Sequence, residues 1–468
     1  MFGYEPLKTA TKALPKLKSK KISSTFSPFE VFSKIYKHCE YSYLLESMEG
    51  PRKLAQYSFI GFEPRSIIRV RDGEMEVCDR RGSTATEEIN DPLPRIKGIV
   101  EGNFIPFNEL RFIGGAVGYV SYDAVRYWEN LPEIAKDDLN FPDIELAIYD
   151  DTIIFDHTKR TVFYYYSAED RSKDLEELMD GPVEIQPLKY TQPETNPSKK
   201  RFEEAVMGAK EYIASGDVLQ VVLSKRYEFT ICGDLLRFYK SLRRINPSPY
   251  MYFLKMKDRQ IVGSSPEMLV RVENGIVETY PIAGTRPRVK DKKKNRALAR
   301  ELLADPKERA EHIMLVDLAR NDIGKVSEFG SVHVPRFMEV HEYSHVQHIV
   351  SRVIGRLRAG YDSCDVLKAI FPAGTVSGAP KVRAMEIIEE AEPTRRGPYA
   401  GAVGYFSFNG NSDFAITIRT LAANGSKAYI QVGAGIVADS IPEREWFETD
   451  QKARALMRAL ETSRDDQA

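Results

Sequence analysis

Three features of this chain predict an α+β fold in the form of an α/β sandwich. Strand-like runs follow one another in meanders with helix-like segments clustered between them, which is not the strict strand–helix alternation of a doubly wound sheet. No P-loop is present, and neither GGAVGY at 114–119 nor GAVGYF at 401–406 is a complete dinucleotide fingerprint. The 468 residues are 42% hydrophobic and 29% charged, which supports a large core and argues against wholesale disorder.

The segment SPFEVFSKIYKH is helix-like and opens on a capping Ser27, and YSYLLESM behind it has strand character. Residues 56–80 read as two strands about an Asp-Gly turn. GGAVGYVSYDAVRYWENLP (114–132) reads as a strand running into a helix, and residues 144–167 as a long hairpin turning at His157–Arg160. Composition then changes. Residues 181–200 carry four prolines and little periodicity, the mark of a linker. Beyond it, residues 198–217 form an amphipathic helix ending at Gly216. Strands follow at VLQVVLSKRYEF, PYMYFLKM, RQIVGSS and MLVRVENGIVETYPIAG, and one strongly helical stretch runs from Asn295 to about Arg320. Strands at 403–408 and 414–421 precede a closing helix at 443–463. The two Gly-rich runs read as close-packing glycines in strands.

Composition excludes several classes. A net charge of −1 gives no bulk attraction to nucleic acid. Cys39, Cys78, Cys232 and Cys364 are scattered, without zinc spacing or a disulfide framework, which fits a reduced, cytoplasmic setting. The basic start, MFGYEPLKTATKALPKLKSKK, lacks the apolar core of a secretory signal and reads as a solvated first segment. The longest apolar stretches fall far short of a membrane span, so no membrane partner is expected.

The stretch IQVGAGIVADSIPEREWFETDQKAR (430–454) is the most informative for chemistry. Glu445 and Glu448 fall on one helix face, where two carboxylates repel unless a cation or proton lies between them. Lys452 lies one turn further, and the Gly-Ala-Gly turn offers backbone N–H groups to an anion. A small anionic substrate held through a divalent metal is the first expectation. In ERAEHIMLVDLARNDIGKV (308–326), Glu308 is expected in a salt bridge to an arginine. Glu311, which precedes a very apolar run, is expected at the metal with the acids of the closing helix. Oxygen ligands without cysteine and with few histidines point to Mg²⁺ over zinc. His341 and His345 have the spacing of a metal pair but not the HExxH order. His348, inside an apolar run, is the better acid/base. The small-residue loop Gly374 to Pro380 and the segment ETYPIAGTRPR (278–288), together with Arg419, supply anion-binding groups.

PIAGTRPR, EHIMLVDLARND, HIVSRVIG, GTVSGAPKVRAMEIIEE, GAVGY and VGAGIVADSIPEREWFETDQKA, in that order, resemble the chorismate-utilising enzymes. The resemblance is densest from about 200 to 462 and closest to the large subunits (component I) of anthranilate synthases. YLLES, YSFIGFEP and GGAVGYVSYDAVRYWE extend it into the N-terminal part. It implies two mainly antiparallel β-sheets flanked by helices, with a regulatory region at 1–190 and a chorismate-binding catalytic domain at 195–465. It implies Mg²⁺ on Glu311 and Glu448 with Glu445 beside them. Gly284, Thr285, Tyr399, Arg419, Gly433, Ala434, Gly435 and Lys452 would hold the substrate. Glu267, His348 and Thr375 would stand at the leaving hydroxyl and the ring.

Two positions separate members of the family. Water-using relatives carry a lysine base where this chain has Gln220, and aminodeoxychorismate synthases carry a ring-attacking lysine where it has Ala283. Both residues favour anthranilate synthesis from chorismate and ammonia. The alternatives are an aminodeoxychorismate synthase and a non-catalytic homologue binding Mg²⁺ or tryptophan. LLES and NPSPYM resemble a tryptophan feedback site, with Ser47, Pro249, Tyr250 and Met251 lining it. None of the four cysteines lies in a Gly-x-Cys-x-Gly elbow, so a separate glutamine amidotransferase subunit is the expected partner.

Overall fold

The computed structural model describes residues 16–22, 26–48, 56–107, 109–343 and 346–464. The basic start up to residue 15 and the His345 considered above lie outside them. Two sheets, of 13 and 12 strands, make up the fold, and every ladder between named strands is antiparallel. The predicted sandwich of antiparallel sheets flanked by helices is what the chain adopts.

The two sheets face each other across an aromatic layer. Tyr43, Phe59 and Tyr252 from the larger sheet meet Phe112, Tyr149 and Tyr405 from the side of the smaller one. Tyr43 and Tyr149 stand edge to face with ring centroids 4.7 Å apart, a geometry that aromatic quadrupoles prefer. On the far side of the larger sheet, helices Pro28–His38, Leu235–Ile245 and Pro442–Thr462 bury Phe32, Tyr239 and Leu456. Helices Leu93–Glu101, Pro306–Gly324 and Ser363–Ile370 cover the smaller sheet. The order is therefore helix, sheet, sheet, helix.

Local sequence explains where these elements start and stop. The Ser27 side chain accepts from the Glu30 amide, and Glu30 Oε2 accepts from the Ser27 amide at 2.7 Å, a capping box. The helix Lys199–Ser215 stops at Gly216, which takes a φ of 86°. The expected single helix from Asn295 to Arg320 is two, Lys292–Ala304 and Pro306–Gly324. Asp305 ends the first, and its side chain accepts from the amides of Lys307 and Glu308 to start the second, where Pro306 needs no N–H partner.

The 56–80 region holds three strands, not two. Tyr57–Phe62 belongs to the larger sheet, and Ser66–Arg71 and Glu74–Asp79 pair in the smaller one about Asp72-Gly73, both at positive φ. Within 144–167 only Asp151–Asp156 and Thr161–Tyr166 form the hairpin. Ile144–Tyr149 lies in the opposite sheet, and the chain crosses over at Asp150. Such crossings leave no trace in alternation, because both sheets present the same period. After the strand Gly115–Val120 a 3₁₀ turn, Tyr122–Tyr127, replaces the expected helix.

Both sheets draw strands from either side of residue 190, so the division at 190/195 follows no break in the sheets. The proline-rich stretch is pinned along the sheet edge, where Lys189–Tyr190 and Glu194–Asn196 pair with the strand Gln220–Cys232. The two Gly-rich runs are neighbouring strands, with Gly404 opposite Gly118. A Cβ on Gly118 would stand 2.0 Å from the Glu145 carbonyl oxygen, so these glycines serve close packing.

Candidate active site

Where the strands Gln220–Cys232, Ile282–Pro287, Val346–Arg356 and Lys427–Ile436 meet the helices Pro306–Gly324 and Pro442–Thr462, they surround a cavity of about 750 Å³. Strand alternation decides what faces it. On Lys427–Ile436, Gln431, Gly433 and Gly435 point inward, and Ala434 points outward into a core with Trp446. Of the expected active-site residues, only Ala434 has its side chain outside the cavity; its backbone alone is placed to take part.

One end is acidic. Glu311 reaches it from the first half of its helix, and Glu445 and Glu448 from the opening turns of theirs. Burial raises the Glu311 carboxyl above its usual range, with the charges of Glu308 and Glu448 adding to it. Burial likewise raises Glu445, and Glu448 adds repulsion. Glu448 is paired with Lys452 at 2.8 Å, and Lys452 Nζ also donates to the Gly433 carbonyl at 2.9 Å. The expected role of Glu308 is the one observed, since it accepts from Arg286 Nη1 at 3.1 Å. Among the described residues no three His, Cys, Asp or Glu side chains converge closely enough to hold a metal alone. The charge of Glu448 nonetheless acts against that of Glu311, and a hard divalent cation held by these carboxylates would relieve the repulsion. The donor set fits Mg²⁺.

The middle of the cavity carries proton-transfer groups. Glu267, in the tight connection between strands Arg259–Ser265 and Met268–Glu273, lines the cavity. Desolvation pushes its carboxyl up to about 8, and the Thr375 hydroxyl pulls it back. No hydrogen bond of normal geometry closes at Thr375 Oγ1, so that hydroxyl is free for a third group. His348 Nδ1 lies 2.8 Å from the Gly284 carbonyl and 3.1 Å from Thr285 Oγ1. A carbonyl only accepts, so Nδ1 carries the hydrogen and Nε2 keeps its lone pair. Burial lowers the His348 pKa and the nearby Arg419 charge lowers it further, which keeps the ring neutral. Gly284 sits at a φ of 66°, and a Cβ there would meet Glu308 Oε2 at 2.9 Å. His341 pairs with Glu339 and lies opposite His348 across the ladder.

Beside the acids the cavity also suits an anion. Arg419 takes a left-handed φ of 53°, a conformation non-glycine residues keep when the surroundings enforce it. Its Nη1 donates to the Lys452 carbonyl, and no carboxylate pairs with it among the described residues. Tyr399 is buried, its hydroxyl pushed up to about 12. A Cβ on Gly433 would stand 2.6 Å from that hydroxyl, so glycine is what admits it. Gln220 lies over Gly435, and its amide oxygen is buried without a partner. Ala283 lines the same cavity.

The profile of the chorismate binding enzymes matches residues 40–458, nearly the whole described chain. The chain belongs to the chorismate binding enzymes. It is 51% identical to anthranilate synthase component 1 of Methanothermobacter marburgensis over 435 residues, 93% of each chain. It is 42% identical to aminodeoxychorismate synthase component 1 of Bacillus subtilis over 451 residues, 93% of this chain and 95% of that one. The crystal structure of anthranilate synthase component I from Streptococcus pneumoniae TIGR4 superposes with a TM-score of 0.77 at 39% identity, covering 87% of this chain and 93% of that one.

Within this family frame, sequence reasoning missed four polar groups that line the cavity, Lys307, Gln431, Ser440 and Gln451. Lys307 precedes Glu311 by one helical turn and lowers its pKa by its charge, a signal present in the i, i+4 spacing. Gln431 had no local signal. Its Nε2 donates to Ser224 Oγ at 2.8 Å, which leaves its oxygen buried and unpartnered.

The four residues expected at an inhibitor site lie at the end of the strands Tyr41–Glu46 and Tyr250–Met256. Ser47 Oγ donates to the Pro249 carbonyl at 2.6 Å. Tyr250 donates to Asp413 at 2.9 Å and, with Pro249, lines a cavity of about 20 Å³. Met251 points the opposite way, into the helix-covered core.

Proposed function

We propose that this chain is the chorismate-binding large subunit of an anthranilate synthase. It converts chorismate and ammonia to anthranilate, pyruvate and water through aminodeoxyisochorismate. The observation that carries this reading is that Gln220 and Ala283 both line the cavity holding the acids and Arg419. At neither position is there a lysine to activate water or to attack the ring.

Glu311 and Glu448, with Glu445 beside them, would hold Mg²⁺, which when bound neutralises and orients the ring carboxylate. Arg419, Lys452 and the backbone N–H groups of 433–435 take the enolpyruvyl carboxylate, and Tyr399 borders it. Glu267, protonated below about 8, donates to the departing hydroxyl as ammonia bonds to the ring. The hydroxyl leaves as water. His348, with Nε2 free, accepts a ring proton as pyruvate is expelled and the ring aromatises. Thr285 and Gly284 hold the His348 ring in the orientation this step needs.

Ammonia would come from glutamine through a separate amidotransferase subunit, in keeping with the "component 1" names of the relatives. All four cysteines are free, which supports a reducing cytoplasm. Among the described residues no helix is long and apolar enough to cross a membrane. Tryptophan would bind at Ser47, Pro249 and Tyr250, with Met251 taking part through its backbone alone, and inhibit. The relative from Bacillus subtilis keeps aminodeoxychorismate synthesis as the competing reading. Mass analysis of the chain after incubation with chorismate decides between them. No covalent adduct is expected, and an adduct would move the assignment to lysine-type chemistry.

A further inference from the structure

Glu392 and Arg396 form a buried ion pair that the chemistry described so far does not use. Neither residue lines the main cavity, yet the groups they bind sit on segments that do. Arg396 donates to the carboxylate through Nε at 2.9 Å and Nη2 at 2.7 Å, a fork that lysine does not offer. Its Nη1 donates to the Val376 carbonyl at 2.8 Å, one residue beyond Thr375. Its Nη2 also donates to the Val222 carbonyl at 2.7 Å. The guanidinium lies 5.6 Å from the centroid of the Tyr399 ring.

Glu392 follows the helix Lys381–Ala391, and its Oε1 accepts from both the amide and the hydroxyl of Ser224 at 2.8 Å. The Ser224 hydroxyl gives its hydrogen to the carboxylate, so toward Gln431 it can only accept. Gln431 Nε2 donates to it at 2.8 Å, which fixes the amide end for end and leaves its oxygen buried without a partner. Thr375 Oγ1 is likewise buried and unpartnered. One ion pair thus ties together the turn Gly374–Val376 and the strands Gln220–Cys232 and Lys427–Ile436. A buried pair adds little net stability, because desolvation offsets the attraction, but a fully bonded polar network fixes geometry.

We propose that Glu392 and Arg396 are positioning residues for the reaction, holding Thr375 and Gln431 so that the hydroxyl of one and the amide oxygen of the other are left for the bound substrate. The proposal rests on the anthranilate synthase reading above. The full chain is assayed with chorismate, Mg²⁺ and an ammonium salt. Arg396→Lys keeps a cation on Glu392 but loses the fork that also holds the two carbonyls. It is expected to lower kcat about tenfold and to leave KM for chorismate within about threefold. Thr375→Val is expected to cost a similar factor, and the double variant to fall no more than about twofold below the less active single one. Ser224→Ala leaves the ion pair in place and frees the Gln431 amide to turn. It is expected to lower kcat several-fold alone and to change nothing further in a Gln431→Leu background. A role in the scaffold alone gives losses that multiply. Multiplying losses in either cycle, or an unchanged kcat in Arg396→Lys, overturn the proposal. If Arg396→Lys does not fold, the cycle of Ser224 and Gln431 decides alone. A wild type that makes no anthranilate overturns the underlying reading instead.

Discussion

Glu267 is held by desolvation at a pKa of about 8, and in the proposed reaction its acid form is the proton donor. Activity in the wild type should therefore fall as pH rises through about 8, and Glu267→Gln should lose most activity together with that limb. The same shift bears on stability. A carboxyl raised above its unfolded value stabilises the fold fully below the ordinary carboxylate range, and that contribution is lost as pH rises through about 8. At the acidic end, Glu311→Gln and Glu448→Gln should each lower ammonia-dependent turnover by about a hundredfold and raise the Mg²⁺ requirement, as loss of a metal carboxylate does. Turnover unchanged in both would remove the metal assignment. In Glu448→Gln the variant also frees Lys452, now paired with Glu448 at 2.8 Å, so the chorismate KM should shift with it.

Elements hold these residues in place, and their weak points are specific. Gly404→Ala would put a Cβ about 2.0 Å from the Asp413 carbonyl oxygen in a central ladder. Thermal unfolding should show a loss of about 3 kcal/mol or insoluble protein, the range of severe core disruption. Asp305→Ala removes the cap between two helices and should cost about 1 kcal/mol, read from denaturant midpoints. The capping box at Ser27, the stop at Gly216 and the alternation of the hairpin strands were legible in the sequence, because each depends on residues close along the chain. The break at Asp305-Pro306 was legible too but was outweighed by the helical pattern on both sides. Sheet membership was not legible. Strands Ile144–Tyr149 and Asp151–Asp156 are nearly contiguous and belong to opposite sheets. The acids, Arg419 and His348 were visible as charged or polar residues in motifs. Gln431 was not, since only the pairing of its strand with Gln220–Cys232 brings it to the cavity.

At the scale of the whole molecule, the two sheets are shared by both halves of the chain, and this joins the expected regulatory residues to the catalytic ones. The small cavity lined by Pro249 and Tyr250 also touches Pro266 and Ile282, which line the main cavity. Tryptophan bound against Pro249 and Tyr250, to the first of which Ser47 is bonded, would press on that shared wall. Millimolar tryptophan should inhibit the wild type, and Ser47→Ala, which loses the 2.6 Å bond to the Pro249 carbonyl, should be several-fold less sensitive by its inhibition curve. Equal inhibition of both would separate Ser47 from regulation. The central claim is amination of chorismate to anthranilate by this chain, and its most direct test is fluorescence. The purified chain alone, given chorismate, Mg²⁺ and an ammonium salt, should produce the emission of anthranilate with equimolar pyruvate. Chorismate consumed into a non-fluorescent amino or hydroxy product, or not consumed at all, would contradict it.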